Sequence, residues 1–591
     1  MKKRIAWFAS CLMVAALVLS SCAPAVTEEE EVAPPVEEEE EVVEEEVAPA
    51  VGEPQYGGTL RILTVYGFLD PLSWNPADIA WMHNHSASPY GEMLIQGDLQ
   101  WGPRGTNDFN FMAQAWLPME FGTRGLAESW EVLSDQNILR FHLQQGVMWQ
   151  DKPGVMAARE FVADDVVYSW NKKMDSPNRI PLYYDWIDSW EAVDKYTVDV
   201  HYNEYCGNWG YRLGWGYYCI VHPHEMDEAP GGAANWRNAC GTGPFMLVDY
   251  VSSSSQTYKK NPNYWDKTII NGKEYKFPFV DTLIWPIIKD ESTRLAAIRT
   301  GKVDIQESSS WKFAESLAET NPELTTWKWM ATSPYMAAMR MDTAPFDDIR
   351  VRRAMHMAVD LQSILDTQHG GQGVILSFPF AIDWPLFTPI EELPESAREL
   401  LEYNPEKAKQ LLAEAGYPDG FSTKMQISVT GGTLMADMAS VCVANWADIG
   451  VDVELEPLEY ANYVSVMTSK THAPMYMLST GNGNPFSVLR KTYLPAQTWN
   501  PSMFDDAHLT DGWTAAMAET DIDKQNEILT ELNVYIIDQC PDVKMPVPYI
   551  YRYAWPWVKN YYGEHCAGSV YPGSIHATIW IDQALKKEMG Y

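Results

Sequence analysis

Residues 27–54 carry 13 Glu among Val, Ala, Pro, Gly and a single Thr, with no aromatic and no basic side chain. A segment of that composition cannot bury enough apolar surface to offset the entropy of ordering it, and its like charges extend it. It reads as a solvated spacer, so whatever folds must be built from the residues that follow. Those number about 537, more than one hydrophobic core supports, and two or three lobes are expected.

Ahead of the spacer, Lys2, Lys3 and Arg4 precede an apolar run from Ile5 to Leu19 that ends Leu19-Ser20-Ser21-Cys22. The run falls short of the roughly 20 apolar residues a spanning helix needs, and the basic start and small-residue end are those of an export signal with a lipobox. Residues 1–22 are therefore expected to be a lipoprotein signal peptide, Cys22 to carry the lipid, and residues 23–55 to form an acidic disordered linker. An uncleaved anchor leaves the same topology. The protein is expected to be extracytoplasmic, lipid-anchored to the cell membrane, in the periplasm or on the outer face.

The formal net charge is −37, and without the leader's three cations and the spacer's 13 Glu about −27 remains on residues 55–591. Nucleic acid and anionic lipid surfaces need clustered Lys and Arg, so neither is expected as a partner.

Six cysteines lie in the remainder, at 206, 219, 240, 442, 540 and 566. Export permits disulfides. Cys206, Cys219 and Cys240 lack the CxxC spacing of a zinc site, so a disulfide among them is expected, its connectivity open. Glu564-His565-Cys566 reads as a disulfide neighbourhood, not a thiol active site. His83-Asn84-His85 and His222-Pro223-His224-Glu225 offer nitrogen donors, but neither has the i, i+4 spacing of a helical zinc site, and they read as solvated loop histidines. No metal and no cofactor is expected. GxSxG, HExxH, a P-loop and a strand-to-helix GxGxxG are absent, and the chain is expected not to be an enzyme.

Alternation marks strands at residues 56–63, 138–143 and 196–202, with a helix over 163–170 between the latter two. Asn404 and Pro405 open a helix that Gly416 closes, with Ala408, Leu411, Leu412 and Ala415 on one face. Residues 291–300 form another helix, stopped by Gly301 and followed by a strand at Val303-Asp304-Ile305. Helices and strands so alternating predict α/β lobes. The chain also holds 25 Trp, 31 Tyr and 18 Phe, an excess that suits aromatic faces near clefts as well as in the core.

Several segments occur in a recognisable order: Tyr56-Gly57-Gly58-Thr59-Leu60-Arg61, Leu69-Asp70-Pro71, Leu126-Ala127-Glu128-Ser129-Trp130, Ala163-Asp164-Asp165-Val166-Val167-Tyr168-Ser169, Gly241-Thr242-Gly243-Pro244-Phe245, Gly301-Lys302-Val303-Asp304-Ile305, Val351-Arg352-Arg353-Ala354, Glu414-Ala415-Gly416-Tyr417-Pro418 and Ile449-Gly450-Val451-Asp452-Val453. Together they resemble the extracellular solute-binding proteins of family 5, which serve importers of dipeptides, oligopeptides, nickel chelates and, in some members, oligosaccharides. The resemblance implies an α/β fold of periplasmic-binding-protein type II architecture: two α/β lobes with an extra domain and a ligand cleft between the lobes. On that pattern residues 56–85, 242–335 and 545–591 form lobe I, 86–241 the extra domain II, and 336–544 lobe III. Gly241-Thr242-Gly243-Pro244 then reads as a turn at a domain crossing.

The same resemblance implies a cleft lined by Tyr66, Trp74, Trp311, Tyr335, Asn482 and Asn484. Peptide binders of the family usually place an aspartate for the peptide's ammonium in the segment that here reads Ser479-Thr480-Gly481-Asn482-Gly483-Asn484-Pro485, without a carboxylate. Neutral amides there suit hydroxyl or carbonyl groups, which favours an oligosaccharide or a blocked or uncharged ligand; otherwise the ammonium partner lies elsewhere, at Asp70 or Asp78. The function implied is the substrate-binding component of an ABC importer, capturing a peptide-like solute by hinge closure and delivering it to the permease. The alternatives are the same class binding an oligosaccharide or other uncharged solute, or an extracellular sensor ectodomain. The expected partners are the solute, an ABC permease and, through the lipid, the membrane, with the protein a monomer.

Overall fold

The computed structural model describes residues 52–591 apart from 72, 79, 80, 113–115, 430–432 and 482. The signal sequence, Cys22 and the spacer up to residue 51 lie outside the described residues, as does Asn482.

The first strand, Thr59–Leu63, buries Leu60 and Ile62 completely and sits in the middle of an eight-stranded mixed sheet. It runs parallel to Thr282–Pro286 on one side and to Ile305–Ser309 on the other. Ser255–Lys260 and Phe245–Val251 extend the sheet on the first side, and Val547–Ala554 and Thr325–Met330 on the second. The helix Glu291–Arg299 is capped by Asp290, whose side chain accepts from the Thr293 amide at 2.7 Å, and ends ahead of Gly301 at φ 61°. The strand expected from Val303 starts later, at Ile305. Asp304 is occupied otherwise: its carboxylate accepts from the Arg61 amide at 2.7 Å, from Trp557 Nε1 at 2.8 Å and from Lys586 Nζ at 2.5 Å.

A four-stranded antiparallel sheet follows the order Ala127–Leu133, Ile138–Leu143, Thr197–Tyr202, Ile187–Asp194. Arg140 and Asp199, paired across its middle, make a two-pronged bond at 2.7 Å each. The helix Ala163–Met174 buries Val166 and Trp170. A third sheet, of five strands, follows the order Val451–Leu458, Phe421–Ser428, Met475–Ser479, Tyr335–Met339, Asp542–Lys544. The helix Pro405–Glu414 accompanies it, Asn404 capping the Lys407 amide at 3.0 Å, with Ala408 and Leu412 buried.

Two chain crossings join the eight- and five-stranded sheets. Thr325–Met330 leads into Tyr335–Met339, and Asp542–Lys544 into Val547–Ala554. The crossings pair with each other: the Met545 amide donates to Tyr335 O at 3.1 Å, and the Ala331 amide to Pro548 O at 3.1 Å. Gly373–Val374, within the span assigned to lobe III, pairs with Pro548 and Val547 at this junction. At the crossing into the four-stranded unit, Gly241 and Gly243 lie so close to Tyr90 that a Cβ would stand 1.9 Å from its carbonyl oxygen and 2.7 Å from its carbonyl carbon. Only glycine lets the two backbones approach.

Two expectations fail. All six cysteines from 206 onward are buried and free. The Cys219 thiol lies against the Arg212 carbonyl at 3.4 Å, whereas that of Cys240 lies by Gln150 O at 3.6 Å and Met156 Sδ at 3.5 Å. Cys206, Cys219 and Cys240 fill separate places in the core, so neither proximity in sequence nor export pairs them. Burial pushes the thiols of Cys206 and Cys219 up to about 11 and about 12 and raises that of Cys566 further, so Cys566 belongs neither to a disulfide nor to a reactive thiol site. His83 and His85 are not in a solvated loop but on the helix Trp81–Ala87, both buried, and burial holds each neutral with a pKa of about 3. His222 is buried as well. Among the described residues no group of three or more His, Cys, Asp or Glu is arranged to hold a metal, and no helix is long and apolar enough to cross a membrane.

Candidate functional site

The chain leaves the central strand at Leu63 and turns at Tyr66. The Tyr66 ring meets His85 edge to face at 5.1 Å, and His85 stacks on Trp285 at 4.7 Å. Below them Glu307, fully buried, accepts from His576 Nε2 at 2.9 Å and from the Val65 amide at 3.2 Å. Arg552, also fully buried, lies 4.4 Å from the centroid of Trp329 and donates to Glu307 O at 3.1 Å. Neither ring nitrogen of His85 or of His565 has a hydrogen-bond partner among the described residues, nor has Arg552 Nη2, though His565 Nδ1 stands 4.0 Å from the Glu307 carboxylate. Burial, the largest effect on each, keeps both imidazoles neutral.

The antiparallel unit contributes tyrosines and one guanidinium. In the π-helical turn Gly210–Trp215 every residue is buried, Arg212 among them at 7 % exposure. Its Cζ stands 3.6 Å from the centroid of Tyr183 and 5.2 Å from that of Tyr211. Tyr217 follows, half-buried, its ring 6.0 Å from that of Tyr211.

The five-stranded sheet contributes the segment after Met475–Ser479. Ser479 Oγ donates to Ser333 O at 2.9 Å and the Thr480 amide to Pro334 O at 3.2 Å, so the segment lies along the first crossing. Asn484 is completely buried and caps the helix Pro485–Tyr493, its Oδ1 accepting from the Ser487 amide at 3.0 Å; its Nδ2 has no partner among the described residues. Seven positions on, Lys491 turns back and donates to Gly481 O at 2.9 Å, and burial pulls its ammonium down to about 8. Arg490, 8 % exposed, donates through Nη2 to the Tyr183 hydroxyl at 2.6 Å and through Nη1 to Gln497, while its Nε stays unpartnered. A cavity of about 400 Å³ lined in part by Asn208, Trp209, Tyr211, Trp215 and Phe486 runs beside this seam.

The six residues expected at the cleft are not all together. Tyr66 and Asn484 belong to the elements just described, and Tyr335 stands opposite Ser479 in the strand pairing. Trp311 packs on the chain turn at Gly370, where a Cβ would come within 2.5 Å of its ring. Trp74 is buried edge to face on Tyr250 of the sheet's outer strand, at 5.2 Å. Asn482 lies outside the described residues. Asp70 and Asp78 are engaged locally, Asp70 by Tyr250, Ser252 and Ser253 and Asp78 by Ser73 and Asn75. Sequence reasoning missed Tyr183, Arg212, Glu307, Arg490, Lys491 and Arg552. For Arg490 and Lys491 a signal existed, two adjacent cations just after the segment that lacks a carboxylate; for the others none is local.

Residues 123–500 match the family model described as bacterial extracellular solute-binding proteins, family 5 Middle. Heme-binding protein A of Haemophilus influenzae is 28% identical over 463 residues, covering 74% of this chain and 81% of that protein. The dipeptide-binding protein of Escherichia coli is 26% identical over 442 residues, 71% of this chain and 79% of that protein. The solved structure of the ABC transporter-associated periplasmic binding protein DppA from Helicobacter pylori, in complex with the peptide STSA, superposes with a TM-score of 0.66 at 22% identity, covering 90% of this chain and 99% of that one.

Proposed function

Because the chain belongs to the bacterial extracellular solute-binding proteins of family 5, a family of binding proteins and not of enzymes, we propose that it captures a peptide-like solute between its lobes and delivers it to the permease of an ABC importer. The observation that carries this reading is the pair of crossings, hydrogen-bonded to each other at Met545–Tyr335 and Ala331–Pro548. Two short paired strands bend without breaking either sheet. A solute touching both lobes then shifts a pre-existing equilibrium toward the closed form, and no covalent step is required.

In this reading residues 56–85, 242–335 and 545–591 act as lobe I, 86–241 as the extra domain and 336–544 as lobe III, with Tyr66, Tyr335 and Asn484 beside the solute. Support for a peptide-like ligand comes from the Escherichia coli relative named a dipeptide-binding protein and from the peptide held by the Helicobacter pylori protein. Asn484 offers a donor and the segment 479–485 no carboxylate, so the solute carries no free ammonium at that end. The unpartnered amide also suits an oligosaccharide hydroxyl, the second reading. The lipid on Cys22 and the spacer 23–55 hold a monomeric body outside the membrane.

The test is closure. Fluorophores on exposed positions of the two lobes should approach one another when an N-blocked peptide is added, and the melting temperature should rise with it. Closure by neutral oligosaccharides alone moves the protein to the second reading, and a distance unchanged by every solute class overturns solute capture.

A further inference from the structure

We propose that Arg212, Arg490 and Lys491, with the Asn484 amide, form the seat for an oxyanion group, a carboxylate or a phosphate, carried by the captured solute. The inference rests on the solute-capture reading and names the chemistry of what is captured.

The chain carries 80 Asp and Glu against 43 Lys and Arg, so an enclosed cation ordinarily finds a carboxylate. Arg159 meets Asp165 at 2.6 Å and Glu225 at 2.6 Å, Lys544 meets Asp542 at 2.9 Å, and Lys586 meets Asp304 at 2.5 Å. Arg352 and Lys173 are satisfied by backbone carbonyls. Arg212 has neither: among the described residues its guanidinium makes no hydrogen bond and no ion pair, only its ring contacts. Arg490 shares the same Tyr183 ring, at 4.8 Å, and its guanidinium feels the charge of Arg212, as the ammonium of Lys491 feels that of Arg490. The ten internal positions left undescribed include no Asp or Glu.

Two guanidinium groups gathered on one ring with no counter-charge repel each other and cost solvation, an arrangement that persists where an anion completes it. The free valences all have one sign. Arg490 Nε and Asn484 Nδ2 are donors without partners on residues more than nine-tenths buried. Tyr183 accepts from Arg490, which leaves its own proton to give. A cluster made only of donors recognises a group made only of acceptors, and the planar guanidinium fork fits an oxyanion. An uncharged ligand leaves the repulsion in place, and an ammonium adds to it.

Melting temperatures of the mature chain in glutarate, inorganic phosphate, glutaramide and chloride at equal ionic strength decide the question. Glutarate or phosphate should raise the melting temperature above chloride and glutaramide, and which of the two does so identifies the source of the charge. The increment should disappear in Arg212→Gln and Arg490→Gln, with dissociation constants rising roughly tenfold or more for each guanidinium lost. Arg212→Gln should melt no lower than the parent in chloride, since it relieves a charge with no hydrogen bond, whereas Arg490→Gln also gives up its bonds to Tyr183 and Gln497 and should melt slightly lower; Arg212→Lys, which keeps charge but not the planar stack, should recover part of the binding. An increment equal in glutaramide, one that survives both Gln variants, or none from either anion overturns the oxyanion seat. Solution scattering separates the two readings. Anion stabilisation without compaction keeps the seat and removes solute capture, and compaction by a neutral oligosaccharide with no anion increment does the reverse.

Discussion

Arg490 Nη2 donates to the Tyr183 hydroxyl at 2.6 Å, joining residues 307 positions apart, one on the helix Pro485–Tyr493 and the other in the antiparallel unit. The bond spans a seam, so it exists only where those two parts meet. Tyr183→Phe removes the acceptor and keeps the ring under Arg212. It should cost about 1 to 2 kcal/mol in urea unfolding, the price of a charged donor losing its partner, and should loosen closure in the lobe-distance assay.

Asn484 has two jobs that substitution can separate. Asn484→Ala loses the cap on Pro485–Tyr493 and should destabilise by about 1 kcal/mol, whereas Asn484→Asp keeps an acceptor for the Ser487 amide. Thermal melts of the ligand-free proteins should show the loss for Ala and not for Asp. Calorimetry with the best solute should show both variants weakened, Asp the more because a carboxylate then faces the solute's acceptor.

Glu92 gives a pH signature. It is 3 % exposed, and burial raises its pKa from 4.5 to about 7 against the lowering effect of bonds from Trp265 and Tyr264. The folded pKa lies above the unfolded one, so the folded state holds a proton more tightly; the associated stability is present below about pH 4.5 and is lost as pH rises through 7. Glu92→Gln should therefore stabilise the protein by up to about 3 kcal/mol at pH 8 and by nothing measurable at pH 4. A difference independent of pH refutes this account of Glu92.

The proposed lipid anchor on Cys22 predicts that detergent-phase partitioning of the full-length product is lost on Cys22→Ala. Unchanged partitioning assigns the anchor to an uncleaved apolar segment.

The strand at Thr59–Leu63, the helix behind Asn404 and Pro405 and the turn Gly241-Thr242-Gly243-Pro244 were legible because each depends on periodicity, a cap or a glycine within a few residues of itself. The ordered run of such signals also carried the family and, with it, the α/β architecture. The start of the strand after Gly301 was misplaced because Asp304 binds Arg61, Trp557 and Lys586 from elsewhere in the chain. The free cysteines and the buried, neutral His83 and His85 escaped for a similar reason: spacing says nothing about which cores two side chains enter.

What the sequence by itself determined is therefore the set of local elements and their order, since hydrophobic period, capping and turn chemistry act over a handful of residues. Tertiary structure alone decided that Arg212 and Arg490 share Tyr183 without a carboxylate, that Trp74 packs on Tyr250, and that Glu307 lies under Tyr66 beside His576. The charge state and solvation of such groups depend on neighbours brought from distant segments, and desolvation is a property of the assembled volume, not of any stretch of chain.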